Sequence, residues 1–311
     1  MRSLVCLGLA SALMAASGTV WAQQDLKGEV KIDGSSTVYL ISQAMVTHFK
    51  TQHPNVGITV GKSGTGAGFK KFANGETDIN DASRAVKPAE QEACRKGNVD
   101  FVELQVALDG LTVVVNPQNT WARKMTIPQL KKIWHPDSAA KKWSDVDPSW
   151  PQEEIRLFGM GSDSGTFDYF TEAVNGQEKL IRKDYQASAD PNTLVAGVAG
   201  NKYALGFFGL AYFEENKEKL ADVAIAEKEG AEYVLPSKET VLKGTYKPLS
   251  RPLFIYVRKD SLKRPEVYEF VNFYLRRTDL IEPVGYIKMR TRDQDTQKEK
   301  LADAARSAKG S

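Results

Sequence analysis

The chain has 311 residues, 41% of them apolar, 26% charged and 9% aromatic. These are the proportions of a soluble globular protein, at a length that suits two domains, and they exclude a disordered chain, a coiled coil and a polytopic membrane protein. Lysines and arginines outnumber aspartates and glutamates only 42 to 39. So small an excess gives no case for nucleic-acid binding.

Arg2 is the only charge before residue 25, residues 4–16 form an apolar run, and the stretch ends in Val20-Trp21-Ala22. A basic start, a short apolar core and small residues at −3 and −1 predict a secretory signal peptide, residues 1–22, cleaved after Ala22. The core is too short for a comfortable transmembrane span. Cys6 leaves with this segment. It follows Val5 and precedes most of the apolar core, so no lipoprotein anchor is expected there. Cys94 is then the lone thiol, which excludes a disulfide framework and predicts a partly buried small residue.

After the signal, residues 29–33 predict a strand. Val38, Ile41, Met45 and Phe49 follow at helical spacing, in a helix that ends before Pro54. Residues 57–61 predict a second strand. The glycine-rich loop 63–68 leads from it into a short helix that stops at Gly75. Pro88 opens a helix closed by Gly97. Two strands are expected over 101–107 and 111–115. Thr126 starts a helix with Ile127, Leu130, Ile133 and Trp134 on one face. Residues 155–158 predict a strand ending in a polar, glycine-rich turn, and 166–174 a helix. Further strands are expected at 204–208, 223–226 and 253–257, and a helix at 265–277 with Val267, Phe270, Val271 and Tyr274 turned inward. The tail from Lys288 is highly charged, a solvated helix or a frayed end. Repeated strand–loop–helix units predict an α/β fold with mostly parallel sheets flanked by helices. There is no internal repeat and no low-complexity linker.

Four stretches share one chemical character. They are Asp33-Gly34-Ser35-Ser36-Thr37, Ser63-Gly64-Thr65-Gly66, Asp81-Ala82-Ser83-Arg84 and Ser162-Asp163-Ser164-Gly165-Thr166. Three follow a predicted strand directly and three open a predicted helix. A helix N-terminus presents unpaired N–H donors and partial positive charge, so a hydroxyl-rich, glycine-rich turn there is an oxyanion site. Any one of them alone reads more simply as an N-cap. Four at comparable positions, at the strand ends where open α/β sheets bind ligands, point to an anion.

Other chemistries fail on spacing. Gly61-Lys62-Ser63 imitates the end of a phosphate-binding nucleotide loop, but the glycine required five residues earlier is Val56. Gly161-Ser162-Asp163-Ser164-Gly165 has Asp where a nucleophile elbow has Ser. His48, His53 and His135 are the only histidines, placed on a helix or at helix ends, and no clustered Cys or His supports a metal. A catalytic base is hard to find, which favours binding over catalysis.

At this point the order and spacing of several blocks become specific. D-G-S-S-T-V-Y, S-G-T-G-A-G-F-K-K-F, G-E-T-D-I-N-D-A-S-R, D-G-L-T-V-V-V-N-P, D-S-G-T-F-D-Y-F-T-E and P-L-S-R-P-L-F-I-Y-V together resemble the periplasmic phosphate-binding proteins of high-affinity phosphate ABC transporters. The resemblance covers residues 28–290. It implies two α/β lobes of the type II periplasmic binding protein fold with phosphate enclosed in the cleft between them. The first lobe would comprise 25–109 and, on the chain's return, 252–311. The second would comprise 110–251.

Carried over by matching motif, the resemblance implies phosphate contacts from Ser35, Ser36 and Thr37, from Ser63 and Gly64, from Asp81, Ser83 and Arg84, and from Asp163, Ser164, Gly165 and Thr166. The best-known branch has an aspartate where Arg84 stands and an arginine where Met160 stands. This chain therefore resembles the A-S-R and D-S-G-T-F branch, with the arginine on the other lobe. Arg84 suits that role because a guanidinium pairs with two oxygens at once. A structural salt bridge to Asp81 or Asp78 is the alternative. The displaced aspartate leaves open which carboxylate accepts the phosphate proton, and Asp81 and Asp163 are the candidates. The resemblance implies a monomer that docks on an inner-membrane permease, without cofactor or metal. Two rivals stay open: a binding protein of the same fold for sulfate, molybdate or arsenate, and a secreted phosphoester hydrolase.

Overall fold

Alternating apolar residues lay down the first strand, Gly28–Gly34 (β1), which buries Val30 and Ile32. This computed structural model describes residues 26–162 and 164–310, so the predicted signal peptide and Asp163 lie outside the described residues. The chain continues through α1 (Ser36–Gln52), β2 (Val56–Val60), α2 (Thr65–Ala73), β3 (Ile79–Ala82) and α3 (Pro88–Lys96) into the long β4 (Phe101–Val115). Next come β5 (Lys124–Thr126), α4 (Ile127–Trp134), α5 (Trp143–Val146), β6 (Arg156–Met160), α6 (Gly165–Asn175), β7 (Gln186–Ser188) and α7 (Pro191–Ala199). Then β8 (Ala204–Gly209), α8 (Leu210–Asn216), β9 (Ala221–Asp222), β10 (Ala224–Ala226) and α9 (Lys238–Lys243) lead to the returning strand β11 (Ser250–Arg258) and to α10 (Pro265–Arg276) and α11 (Thr291–Gly310).

One curled sheet takes the order β2-β1-β3-β11-β4-β8-β6-β7, with β9 also on β4, and β10 and β5 form a separate pair. Pairing is parallel within each flank, β1 with β2 and β3, and β6 with β7 and β8. It turns antiparallel around β4 and β11, which carry the chain between the two halves. Two large apolar cores result, beside a third, smaller cluster around Phe69, Phe72 and Tyr256. One gathers α1 and α10 over β1, with Phe49 edge-on to Phe270. The other surrounds Trp134, with Phe170 stacked on Phe207 at 3.7 Å between ring centres. The helices follow the predicted faces: Val38, Ile41, Met45 and Phe49 of α1 are all buried. Thr126 and Gln129 close a reciprocal cap on α4.

Three differences from the sequence reading have physical causes. The strands expected at 101–107 and 111–115 are one strand, because β11 pairs across the expected break, Arg251 opposite Asp109 and Ser250 opposite Gly110. Strand β3 was hidden by its polar letters, yet Asn80 and Asp81 are wholly buried in it. The charged tail is helical and packed, since Leu301, Ala304, Ala305 and Ala308 line one buried face. Among the described residues no helix is long and apolar enough to cross a membrane.

Candidate oxyanion site

The first wall of the site begins where β1 turns into α1. Gly34 has φ +140, and a Cβ there would stand 2.1 Å from the Asp81 carbonyl oxygen, so only glycine lets β1 lie this close to β3. Ser35 is the N-cap: its Oγ accepts from Thr37 N at 3.2 Å and Val38 N at 3.4 Å. Its own N–H donates to Asp81 O at 2.9 Å. Its hydroxyl is thus engaged by the helix. Ser36, half-buried, and Thr37, buried, are the first-turn residues of α1 that meet α6.

Asp33 fixes the second loop against the first. One carboxylate oxygen accepts from Gly34 N at 2.7 Å and Ser63 N at 2.9 Å, and the other pairs with the Lys71 ammonium. Burial pushes its pKa up, but Lys71 and these donors outweigh burial and hold it below the ordinary value. Gly64, with φ +94, donates to Gly34 O at 2.7 Å and opens α2 without a side-chain cap. The third loop is tied in by Thr65, whose Oγ1 accepts from Ser83 N at 3.2 Å.

Arg84 projects beside Gly66 at the start of α2. Its Nη1 and Nη2 form an end-on fork with Glu90 at 2.8 and 2.7 Å, and Nη1 also reaches Ala85 O at 3.1 Å. Its partner is therefore Glu90 rather than Asp81 or Asp78. Asp78 is taken by Ser261 and Arg264. The side-on edge of the guanidinium, Nε and the outer Nη2 hydrogen, has no acceptor among the described residues, and a guanidinium has five donors to place. Its pKa is raised, first by the Glu90 hydrogen bond and further by the charges of Glu172 and Glu178 from the opposite half. Arg84 thus faces the second lobe.

That lobe supplies the fourth loop. Met160 ends β6 buried, and Ser164 caps α6 by accepting from Thr166 N at 3.2 Å. Gly165 sits directly on Thr37, where a Cβ would lie 2.2 Å from Thr37 Oγ1. Ser36 Oγ donates across the lobes to Asp168 Oδ2 at 2.9 Å. The starts of α1 and α6 therefore meet, with α2 and Arg84 held beside α1. A cavity of about 480 Å³ adjoins this junction, lined by Leu40, Ser162, Ser164, Thr166, Tyr212 and Tyr286.

Sequence reasoning missed two side chains here. Arg251 on β11 donates to Thr37 Oγ1 at 3.1 Å and to Asp109 at 3.4 Å, and its guanidinium lies 3.7 Å over the Tyr169 ring. Asp168 was passed over in the D-S-G-T-F-D-Y-F-T-E block, although an acid in the first turn of a helix is a signal.

Asp81 lies elsewhere. Its side chain is wholly buried under α1, accepts from Ser42 Oγ at 2.8 Å, and Ser42 in turn lies 3.1 Å from the Tyr274 hydroxyl. Burial pushes its pKa up to about 8, Ser42 opposes this, and the Asp33 charge adds to it. An acid whose native pKa is raised costs stability as pH rises from its ordinary value, 3.8, toward that native value. Asp81→Asn stays neutral throughout. Its stability is expected to gain on the wild type from pH 5 toward pH 8, by up to about 1.4 kcal/mol per pH unit, read as a widening gap in melting temperature. A constant difference across that range contradicts this placement.

Comparison with known proteins agrees with the fold. Residues 19–278 match the PBP superfamily domain. Protein SphX of Synechococcus elongatus is 46% identical over 263 residues, covering 84% of this chain and 77% of that protein. The phosphate-binding protein PstS of Staphylococcus haemolyticus is 39% identical over 282 residues, covering 90% and 86%. The crystal structure of a possible phosphate binding protein from Planctomyces limnophilus superposes with a TM-score of 0.87 at 50% identity, over 90% of this chain and 99% of that one. The chain belongs to the PBP superfamily and, within it, to the family of the PstS-type phosphate-binding proteins.

Proposed function

We propose that this protein captures inorganic phosphate between its lobes and delivers it to an ABC transporter permease, acting as a binding protein and not as an enzyme. The observation that carries this reading is the junction itself. Two helix N-termini from opposite lobes meet beside an arginine whose side-on fork is unclaimed. Relatives of this chain are named as phosphate-binding proteins. The ligand contacts would come from Ser36 and Thr37, Ser63 and Gly64, Ser83 and Arg84, and Ser164, Gly165 and Thr166. Ser35 and Asp33 would hold the loops in place. The lobes would divide as 25–109 with 252–311, and 110–251. The segment 1–22 would direct export, leaving a soluble monomer in the periplasm.

Capture follows from differential affinity. Donors on one lobe bind weakly. Donors from both lobes bind together only in the closed form, so ligand favours closure. Stripping water from a dianion costs several kcal/mol, which requires many donors and a cation. The histidines do not favour catalysis: His48 and His53 lie about 18 and about 26 Å along α1 from Ser36. His135 ends α4.

The test is calorimetric titration of the exported protein, stripped of ligand, with phosphate and with sulfate, beside Arg84→Ala. We expect one phosphate per chain, no sulfate, and about 100-fold weaker phosphate binding in the variant, the worth of one or two charge-assisted hydrogen bonds. A wild type that ignores phosphate overturns the function. A variant of unchanged affinity removes Arg84 from the site and leaves the function standing.

A further inference from the structure

We propose that the cleft also takes phosphate monoesters of small polyols, with the phosphoryl group at the junction of α1 and α6 and the hydroxylated substituent in the cavity beside it. This rests on the phosphate reading and widens the ligand class from the inorganic ion to an intact organic phosphate.

The cavity is larger than the ion requires. Its volume of about 480 Å³ falls in the range of about 300–1,000 Å³ that small-molecule pockets occupy, and one phosphate fills only a small part of it. Ser164 and Thr166, both candidate phosphate contacts, form part of its wall. A phosphoryl group held by the start of α6 therefore has the cavity on one side. A monoester keeps three terminal oxygens for Arg84 and the helix N-termini and changes only the fourth, to P–O–C. That corner needs open space, and the cavity supplies it.

The walls come from both sides of the cleft and combine apolar faces with hydroxyls. Leu40, one turn past Ser36 on α1, is 45% exposed, although Val38 and Ile41 beside it are buried. Tyr212 of α8 meets the turn at Gly285 and Tyr286, where a Cβ on Gly285 would lie 3.5 Å from Tyr212 Cε2. Tyr286 is only 5% exposed, yet it lines the cavity, and its hydroxyl has no hydrogen-bond partner among the described residues. Burial holds its pKa above the ordinary value, so it stays a neutral hydroxyl that can both donate and accept. The Tyr212 hydroxyl, on a half-buried side chain, has no such partner either. Ser188 Oγ accepts from Asp190 N at 3.0 Å and keeps its own proton to give.

A hydroxyl taken out of water without a partner costs stability, and phenylalanine at 286 would avoid that cost. A passage for the inorganic ion alone calls for neither the apolar wall nor these hydroxyls. A short polyol matches both, its C–H faces against Leu40 and the tyrosine rings and its hydroxyls toward Tyr212, Tyr286 and Ser188. The described residues that line the cavity are all uncharged, which suits a neutral substituent. None of them is a general base, so the ester is bound and not cleaved.

The experiment titrates glycerol 3-phosphate, inorganic phosphate and glycerol into ligand-stripped wild type, the double variant Tyr212→Phe with Tyr286→Phe, and Ala187→Trp, with melting curves to confirm folding. Ala187 is exposed on β7 and lines the cavity, so tryptophan there fills the space without entering a core. In the wild type we expect one glycerol 3-phosphate per chain, displaced by phosphate and intact by phosphorus NMR, and no binding of glycerol alone. In the double variant and in Ala187→Trp we expect glycerol 3-phosphate to weaken about 10-fold or more, while phosphate stays within about 2-fold. A wild type that binds phosphate and refuses glycerol 3-phosphate overturns this inference alone. An ester whose affinity neither variant changes does the same. A wild type that binds neither overturns it together with the functional reading.

Discussion

Gly165→Val is expected to weaken phosphate binding at least about 100-fold while the melting temperature stays within a few degrees of the wild type. A Cβ at this position would stand 2.2 Å from Thr37 Oγ1, 2.6 Å from Thr37 Cα and 2.8 Å from Thr37 Cβ. Real Cβ atoms do not approach so near, and Thr37 cannot yield, because it is buried in the first turn of α1. The two residues belong to different lobes. The clash is therefore relieved by parting the lobes rather than by unfolding either core. Affinity falls with the fraction of molecules able to close, so a closed form held to about 1% weakens binding about 100-fold. Titration calorimetry with a parallel melting curve makes the test. An unchanged Kd means that the junction of α1 and α6 does not close on the ligand.

Arg251→Met is expected to act mainly on stability. Asp109 is wholly buried, and burial pushes its pKa up while the Arg251 charge beside it pulls the other way. Removing one partner of a buried pair leaves an uncompensated charge and costs about 3–5 kcal/mol. The stacking of the guanidinium on Tyr169 is lost as well. For a chain of this size that lowers the melting temperature by roughly 10 °C near pH 8. The sign of the pH effect follows. Without Arg251 the Asp109 carboxyl prefers its neutral form still more strongly, so the loss shrinks as pH falls toward 5. Asp109→Asn added to Arg251→Met restores part of the loss. A melting temperature unchanged at pH 8 rules out the buried pair as a stabilising element.

Local patterns carried much of this structure. The spacing of Val38, Ile41, Met45 and Phe49 located α1, and Thr126 with its apolar face located α4. The glycine- and serine-rich turns marked three loops that the fold brings together at the head of α1, α2 and α6. What escaped was set by partners distant in sequence. Asp109-Gly110 looks like a break until β11 pairs across it. Arg251 looks like a strand residue until Thr37, some two hundred positions earlier, accepts its hydrogen bond. Asp168 is an ordinary helix acid until Ser36 is brought against it. Ser35 and Ser164 show the converse. Their hydroxyls cap helices, as serines in such places commonly do.

A crystal structure of the protein loaded with phosphate tests capture between the lobes most directly. The account predicts one tetrahedral ion at the junction of α1 and α6, within hydrogen-bond distance of Ser36, Thr37, Thr166 and the side-on fork of Arg84. An ion seated instead in the cavity beside Ser162, Tyr212 and Tyr286, out of reach of Arg84, would contradict it.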